Sequence, residues 1–352
     1  MRSVFLAYFG FLTLFNLSGC QPTPRDGSAL ATTQGFSAPV YFPPVRYPLA
    51  ENPVTPAGFA LGRRLFYDPI LSQDSTLSCA SCHAPTKAFS NAPLALSVGV
   101  QQRLGMRNSP SLANLAFQRH YFWDGGVNHL DFSPLNAITQ ENEMNENLRN
   151  IIQKLNRHPR YPGWFAEAFG SDSIHTAPLL KALAQFTLCL ISDQSPYDRW
   201  RQGDQKALSA EAQAGRQLFT QKCATCHQGE LFGGDGFANN GLDTQFSDEG
   251  RFRISLDSAD RGKFRIPSLR NVALTPPYMH DGRLPSLEAV LEHYAQSVKD
   301  SPTLDARLTA NGQPGIALSP EEKAKIIAFL NALSDESFTE NPAWESPFER
   351  TK

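Results

Sequence analysis

Two short segments, Cys79-Ala80-Ser81-Cys82-His83 and Cys223-Ala224-Thr225-Cys226-His227, limit what this chain can fold into more than any other feature. With 6 Cys and 8 His in 352 residues, a C-x-x-C-H match arises by chance on the order of 0.002 times per chain, so two matches are not an accident. The spacing suits one chemistry: two thiols add across the two vinyl groups of a porphyrin while the adjacent imidazole reaches the iron. A redox dithiol or a zinc site would leave the repeated His unexplained. Two covalently bound c-type haems are therefore expected, held by Cys79, Cys82, Cys223 and Cys226 with His83 and His227 as iron ligands. Cys189, inside the apolar run Leu179 to Ile191, is expected as a small buried hydrophobe.

The halves of the chain echo each other. Gly62-Arg63-Arg64-Leu65-Phe66 precedes the first motif and Gly215-Arg216-Gln217-Leu218-Phe219 the second, the mark of a duplicated helix leading into a haem site. Helical spacing of apolar residues continues through Asn147 to Leu155, Ala177 to Ile191, Pro285 to Val298 and Ser319 to Leu333, while Gly229 to Gly250 reads as a glycine-rich loop. Ser209 and Ser319 are natural helix caps. The expected fold is all-α, two cytochrome c-like haem domains packed side by side, spanning 46–200 and 201–352. Lys plus Arg, 32, nearly cancels Asp plus Glu, 34, which leaves no electrostatic footprint for nucleic acid.

Residues 1–19 carry one Arg and an apolar run too short to span a bilayer as a stable helix, the pattern of a secretory signal. Leu17-Ser18-Gly19-Cys20 resembles a bacterial lipobox, which implies cleavage before Cys20, a lipid anchor on its thiol, and a membrane-attached lipoprotein in the periplasm. Residues 20–45, rich in Pro, Ser, Thr and Gly, are expected as a flexible tether.

The sixth iron ligand separates the jobs two haems can do: a Met raises the potential, a second His closes the site, and an open position admits peroxide. Arg107-Asn108-Ser109-Pro110-Ser111-Leu112-Ala113-Asn114, Phe122-Trp123-Asp124-Gly125-Gly126 and the run Pro267 to Gly282, PSLRNVALTPPYMHDG, bear on this choice. They resemble the bacterial di-haem cytochrome c peroxidase and MauG superfamily, closest in features to MauG-like enzymes and the di-haem enzymes of methanobactin operons, the MbnH type. The resemblance implies that the His83 haem is the peroxidatic one and that Trp123 relays electrons between the haems. It also implies that Glu143 is the distal acid, moving a proton between the peroxide oxygens. Taken alone, Trp123 reads as a core aromatic and Glu143 as one solvated charge beside Glu141 and Glu146.

Two departures refine the picture. Ungapped counting from Trp123 puts Val100 where reductively activated peroxidases have a distal His, so the first haem is expected five-coordinate and reactive without prior reduction. Ala137 stands where the MauG type has a distal proline. At the second haem, the position that holds Met in typical peroxidases of the family is Tyr294, as in MauG-like enzymes, where a phenolate ligand favours a high-valent state shared by both irons. Leu287, Val290, Leu291 and Tyr294 share a helical face, with His293 rotated away. Met279 is the rival ligand. The resemblance also implies one interhaem calcium ion at Asn108, Thr275 and Pro277, whose oxygen donors suit that cation.

The leading expectation is a periplasmic oxidoreductase that uses hydrogen peroxide to oxidise a secreted partner protein, at tryptophan in MauG-type and MbnH-type systems. The alternatives are a peroxidase fed by a small cytochrome and a non-catalytic di-haem electron carrier.

Overall fold

The computed structural model describes residues 31–33 as backbone, and 35–309 and 312–348 in full. The expected signal segment and Cys20 lie outside these residues. The principal helices are α1 (Pro56–Tyr67), α2 (Leu148–Arg157), α3 (Tyr161–Phe169), α4 (Thr176–Leu188), α5 (Ala210–Lys222), α6 (Leu287–Glu292) and α7 (Pro320–Asn331). Two short antiparallel strand pairs accompany them, Ala31–Thr33 with Phe36–Ala38 and Phe237–Ala238 with Phe264–Arg265. The fold is all-α with two domains packed together. The caps read from sequence form: Ser209 Oγ accepts from the Ala212 N–H at 3.1 Å, and Ser319 and Glu322 close a reciprocal capping box.

Each domain is organised by one close helix crossing, α1 on α4 and α5 on α7. A Cβ on Gly62 would lie 1.9 Å from the Ala182 carbonyl oxygen, and one on Gly215 would lie 1.8 Å from that of Lys325. Only glycine lets the backbones come this near. One turn further along each partner helix sits a phenylalanine: Phe186 packs on Phe66 and Phe89, with ring centroids 5.0 and 6.4 Å apart, and Phe329 packs on Phe219 and Phe232 at 5.2 and 5.5 Å. The Gly-Arg-x-Leu-Phe repeat therefore encodes a repeated crossing and a repeated aromatic triad. Each fully buried ring contributes roughly 1.5–3 kcal/mol of transfer free energy.

The cores do not divide at residue 200. Phe338 and Trp344, from the end of the chain, pack into the first core, and Tyr197 packs into the second. Residues 36–45 do not form part of the expected tether over 20–45: Phe36 and Phe42 are buried in the first core, because their apolar area outweighs the freedom of a segment whose composition reads as flexible. Between the domains lies an ion pair almost out of water. Arg270 donates through Nη1 and Nη2 to the two carboxylate oxygens of Asp198, each at 2.9 Å, with the side chains 1% and 0% exposed. Its remaining donors reach the Glu230 and Ser192 carbonyls, and its guanidinium lies 4.4 Å over the Phe42 ring. No helix among the described residues is long and apolar enough to cross a membrane.

Candidate functional site

The two C-x-x-C-H motifs fold alike. Cys79–Cys82 forms one helical turn, and the His83 and His227 amides donate to the Cys79 and Cys223 carbonyls, each at 3.0 Å. His83 Nδ1–H donates to the Phe89 carbonyl at 2.9 Å; His227 Nδ1–H is shared between the carbonyls of Phe232 at 3.1 Å and Pro267 at 3.2 Å. A Pro110 carbonyl contributes to His83 in the same way. Fixing Nδ1 as the donor fixes the tautomer and leaves Nε2 as the iron-binding nitrogen. Burial lowers the affinity of both imidazoles for a second proton, more than these bonds raise it, which favours the neutral, ligating form. The accepting residues, Phe89 and Phe232, hold φ of +57° and +49° and belong to the aromatic triads. The packing that builds each core thus also orients each histidine. The residues present fit a covalently held haem at both sites.

At the first site Glu143 carries an acid raised above its ordinary range by burial alone. The Cys82 thiol is raised by burial, with a further contribution from the Glu143 charge, which puts this carboxyl within electrostatic reach of the first motif. The Val100 N–H donates to the Glu143 carbonyl at 2.8 Å, and Val100 is buried at 1% exposure. A buried apolar residue, with no histidine, is thus bonded through its backbone to the residue that carries the acid. Glu146, expected as a solvated neighbour, is instead buried and paired with Lys154 at 2.7 Å.

Trp123 is bonded to one segment from each domain. Its indole Nε1–H donates to the Asn108 carbonyl at 2.8 Å, and its own carbonyl accepts from the Arg265 amide at 2.7 Å. Asn108 stands two residues before Pro110, which faces His83; Arg265 stands two before Pro267, which faces His227. Arg107 pins the same corner, with Nη1 2.6 Å from Asp124 and Nε 2.7 Å from Asp248 of the second domain.

At the second site α6 runs into a π-helical turn, His293–Ser297, that carries Tyr294. Such wide turns recur at functional positions. Burial pushes the Tyr294 hydroxyl up to about 12, a hydrogen bond from the Asn240 side chain opposes this, and the Cys226 and Cys223 thiols lie within electrostatic reach. His293 is not turned to solvent: it is 6% exposed, and its Nε2–H donates to the Asn240 carbonyl at 3.0 Å. The wider turn changes the angle between successive side chains, so regular helical spacing misplaced it. Met279 reaches Asn240 too, whose Nδ2–H donates to the thioether sulfur at 3.2 Å.

Asn108 donates its Nδ2–H to the Ala95 carbonyl at 3.0 Å and its backbone N–H to the His280 carbonyl at 2.8 Å. It therefore lies against the segment that contains Thr275 and Pro277. Among the described residues no cluster of three or more His, Cys, Asp or Glu could hold a metal ion; a cation at 108, 275 and 277 would rest on amide and carbonyl oxygens. His280 stacks on Phe264, with centroids 3.8 Å apart, and Cys189 is buried. Phe89, Phe232 and Asn240 escaped the sequence reading, although a Phe shortly after each C-x-x-C-H was there to be noticed.

Two helical domains, each orienting a histidine behind a C-x-x-C-H motif, define a c-type di-haem protein. The first half, residues 56–206, matches the family model of di-haem cytochrome c peroxidase, and residues 212–334 match that of cytochrome c. The chain is 38% identical to the methylamine utilization protein MauG of Methylorubrum extorquens over 290 residues, 81% of this chain and 80% of that protein. It is 35% identical to the cytochrome c peroxidase Ccp of Escherichia coli over 78% of this chain and 57% of that one. The crystal structure of a MauG-like protein associated with microbial copper homeostasis superposes with a TM-score of 0.81 at 32% identity, covering 89% of this chain and 99% of the other. This chain belongs to the MauG and di-haem cytochrome c peroxidase family, whose members carry two covalently bound haems.

Proposed function

We propose that the protein uses hydrogen peroxide to oxidise an aromatic residue of a partner protein, in the manner of the MauG-like branch. The observation that carries this reading is Tyr294, half-buried on a π-helical turn within electrostatic reach of Cys223 and Cys226: a phenol there is the ligand that suits shared oxidising equivalents. When bound, the haems supply the redox chemistry, passing two electrons to peroxide, which takes up two protons and leaves as two waters.

The protein's own side chains do the rest. Glu143, kept protonatable by burial, takes a proton from the proximal peroxide oxygen and returns it to the departing one. Val100 keeps a competing histidine out of the first site. His83, Cys79 and Cys82 hold one haem; His227, Cys223, Cys226 and Tyr294 hold the other. Trp123, hydrogen-bonded to the segments behind both histidines, offers the electron route between them. The electrons come from the partner, one at a time, so no shaped substrate pocket is required. A calcium ion on Asn108, Thr275 and Pro277 would brace the seam. The protein works in the periplasm, tethered through Cys20.

Stoichiometric peroxide added to the fully ferric holoprotein tests the reading: both haem spectra change without any reductant. No change without a reductant refutes it. Rapid return of the oxidised form on adding a reduced small cytochrome, with no partner product, favours the peroxidase named among the relatives.

A further inference from the structure

Around Tyr294 one side chain does more than the proposed function asks of it. The Asn240 amide nitrogen has two hydrogens. One is directed at the Met279 sulfur, 3.2 Å away, and the same side chain stands near enough to the Tyr294 hydroxyl to oppose the effect of its burial. Thioether and phenol are both competent haem ligands, so one residue binds the first through its side chain and, through its backbone carbonyl on His293, anchors the turn that carries the second.

Asn240 is itself held rigidly. Its carbonyl accepts from His293 Nε2 at 3.0 Å. Its neighbour Asn239 is 2% exposed, and donates through Nδ2 to Ser301 at 2.9 Å and Thr303 at 3.0 Å. The Gly241 carbonyl accepts from the Lys299 amide at 2.8 Å. Met279 has a backbone φ of +77°, a conformation that costs an unbranched L-residue free energy and persists only where the surroundings impose it. The loop that imposes it is closed by the Tyr278 amide on the Leu284 carbonyl at 2.7 Å. Tyr294 is fixed in turn by the Ile316 amide, which donates to its carbonyl at 2.7 Å.

We infer that Asn240 selects the ligand of the second haem: it restrains the Met279 sulfur and so leaves the coordination place to the Tyr294 oxygen. Asn240 is a positioning residue, acting through the Met279 side chain and the His293 turn rather than on the haem. The inference rests on Tyr294 being the resting ligand. Loss of the amide frees the thioether, and the softer ligand takes the place of the phenol.

The test uses the ferric holoprotein, reading the low-spin haem by absorption and electron paramagnetic resonance and its midpoint potential by titration. Asn240→Leu, and Asn240→Ala should the larger side chain impair folding, gain the sulfur-to-iron charge-transfer band and shift the potential upward. Met279→Leu keeps the wild-type spectrum and potential, and the double variant Asn240→Leu/Met279→Leu loses both the band and the upward shift. Asn240 variants with the wild-type spectrum and potential overturn the inference, as does a double variant that retains the shift. Tyr294→Phe separates the two layers: an unchanged spectrum there removes the tyrosine-ligand reading itself, whereas a changed one with silent Asn240 variants removes only the selector role.

Discussion

Gly215→Ala probes the crossing on which the second haem site is built. The added Cβ would lie 1.8 Å from the Lys325 carbonyl oxygen, where real Cβ contacts essentially never fall below 3.0 Å. The obstacle is helix backbone, not the end of a flexible side chain, so α5 and α7 have to part by about 1.2 Å, enough to forfeit much of the dispersion energy along their seam. Phe219 and Phe329 face each other across that seam at 5.2 Å. Overpacking costs about 1–3 kcal/mol, and loosened ring contacts add to it, for an expected loss of about 3–4 kcal/mol. Because α5 runs directly into Cys223, incomplete haem attachment at the second motif is also expected. Gly62→Ala, with its Cβ 1.9 Å from the Ala182 oxygen, should cost the first domain as much. A Cβ on Gly163, in α3, would meet nothing within 4 Å, and Gly163→Ala should instead stabilise by about 0.5–1 kcal/mol through helix propensity and lost unfolded-state freedom. Urea unfolding of the holoproteins, followed by far-ultraviolet circular dichroism, measures all three. A Gly215→Ala unfolding free energy within about 1 kcal/mol of wild type would show that the helices do not cross this closely.

Three further outcomes are expected. Arg270→Met leaves the Asp198 carboxylate buried without its partner and should cost about 3–5 kcal/mol in denaturant unfolding; Arg270→Met/Asp198→Leu should recover much of it, and a mild single variant would contradict the buried geometry. Glu143→Gln should slow the spectral response to peroxide by about 10²–10⁴-fold with both ferric spectra preserved, so an unaltered rate in stopped-flow mixing would remove Glu143 from the proton transfer. Asp193 is held up at about 6, chiefly by burial. The unfolded chain therefore releases this proton first, and the penalty appears as pH rises from about 4 to about 6, then stays constant. Asp193→Asn should remove that decline and stabilise the protein at pH 7 by roughly 3 kcal/mol or less; parallel stability profiles for the two proteins across pH 4–7 would refute the assignment.

What could be read in the amino-acid sequence was whatever chemistry writes into adjacent residues. A thioether pair and its histidine must be neighbours in the chain, so Cys79 to His83 and Cys223 to His227 announce the haems. Helix starts at Ser209 and Ser319 are legible for the same reason, since a cap bonds residues within its own turn. The repeat around Gly62 and Gly215 disclosed the duplication, but not that each glycine meets a carbonyl of a distant helix. Tertiary structure alone decided which carbonyls orient His83 and His227, because an acceptor oxygen belongs to every residue and leaves no mark in the sequence. It alone brought Phe36, Phe42, Phe338 and Trp344 into the first core, where long-range burial overrides local composition. The π-helical turn belongs to the same class: one widened turn carried His293 inward onto Asn240, whose side chain in turn holds Met279, a meeting that no periodic count along the chain contains.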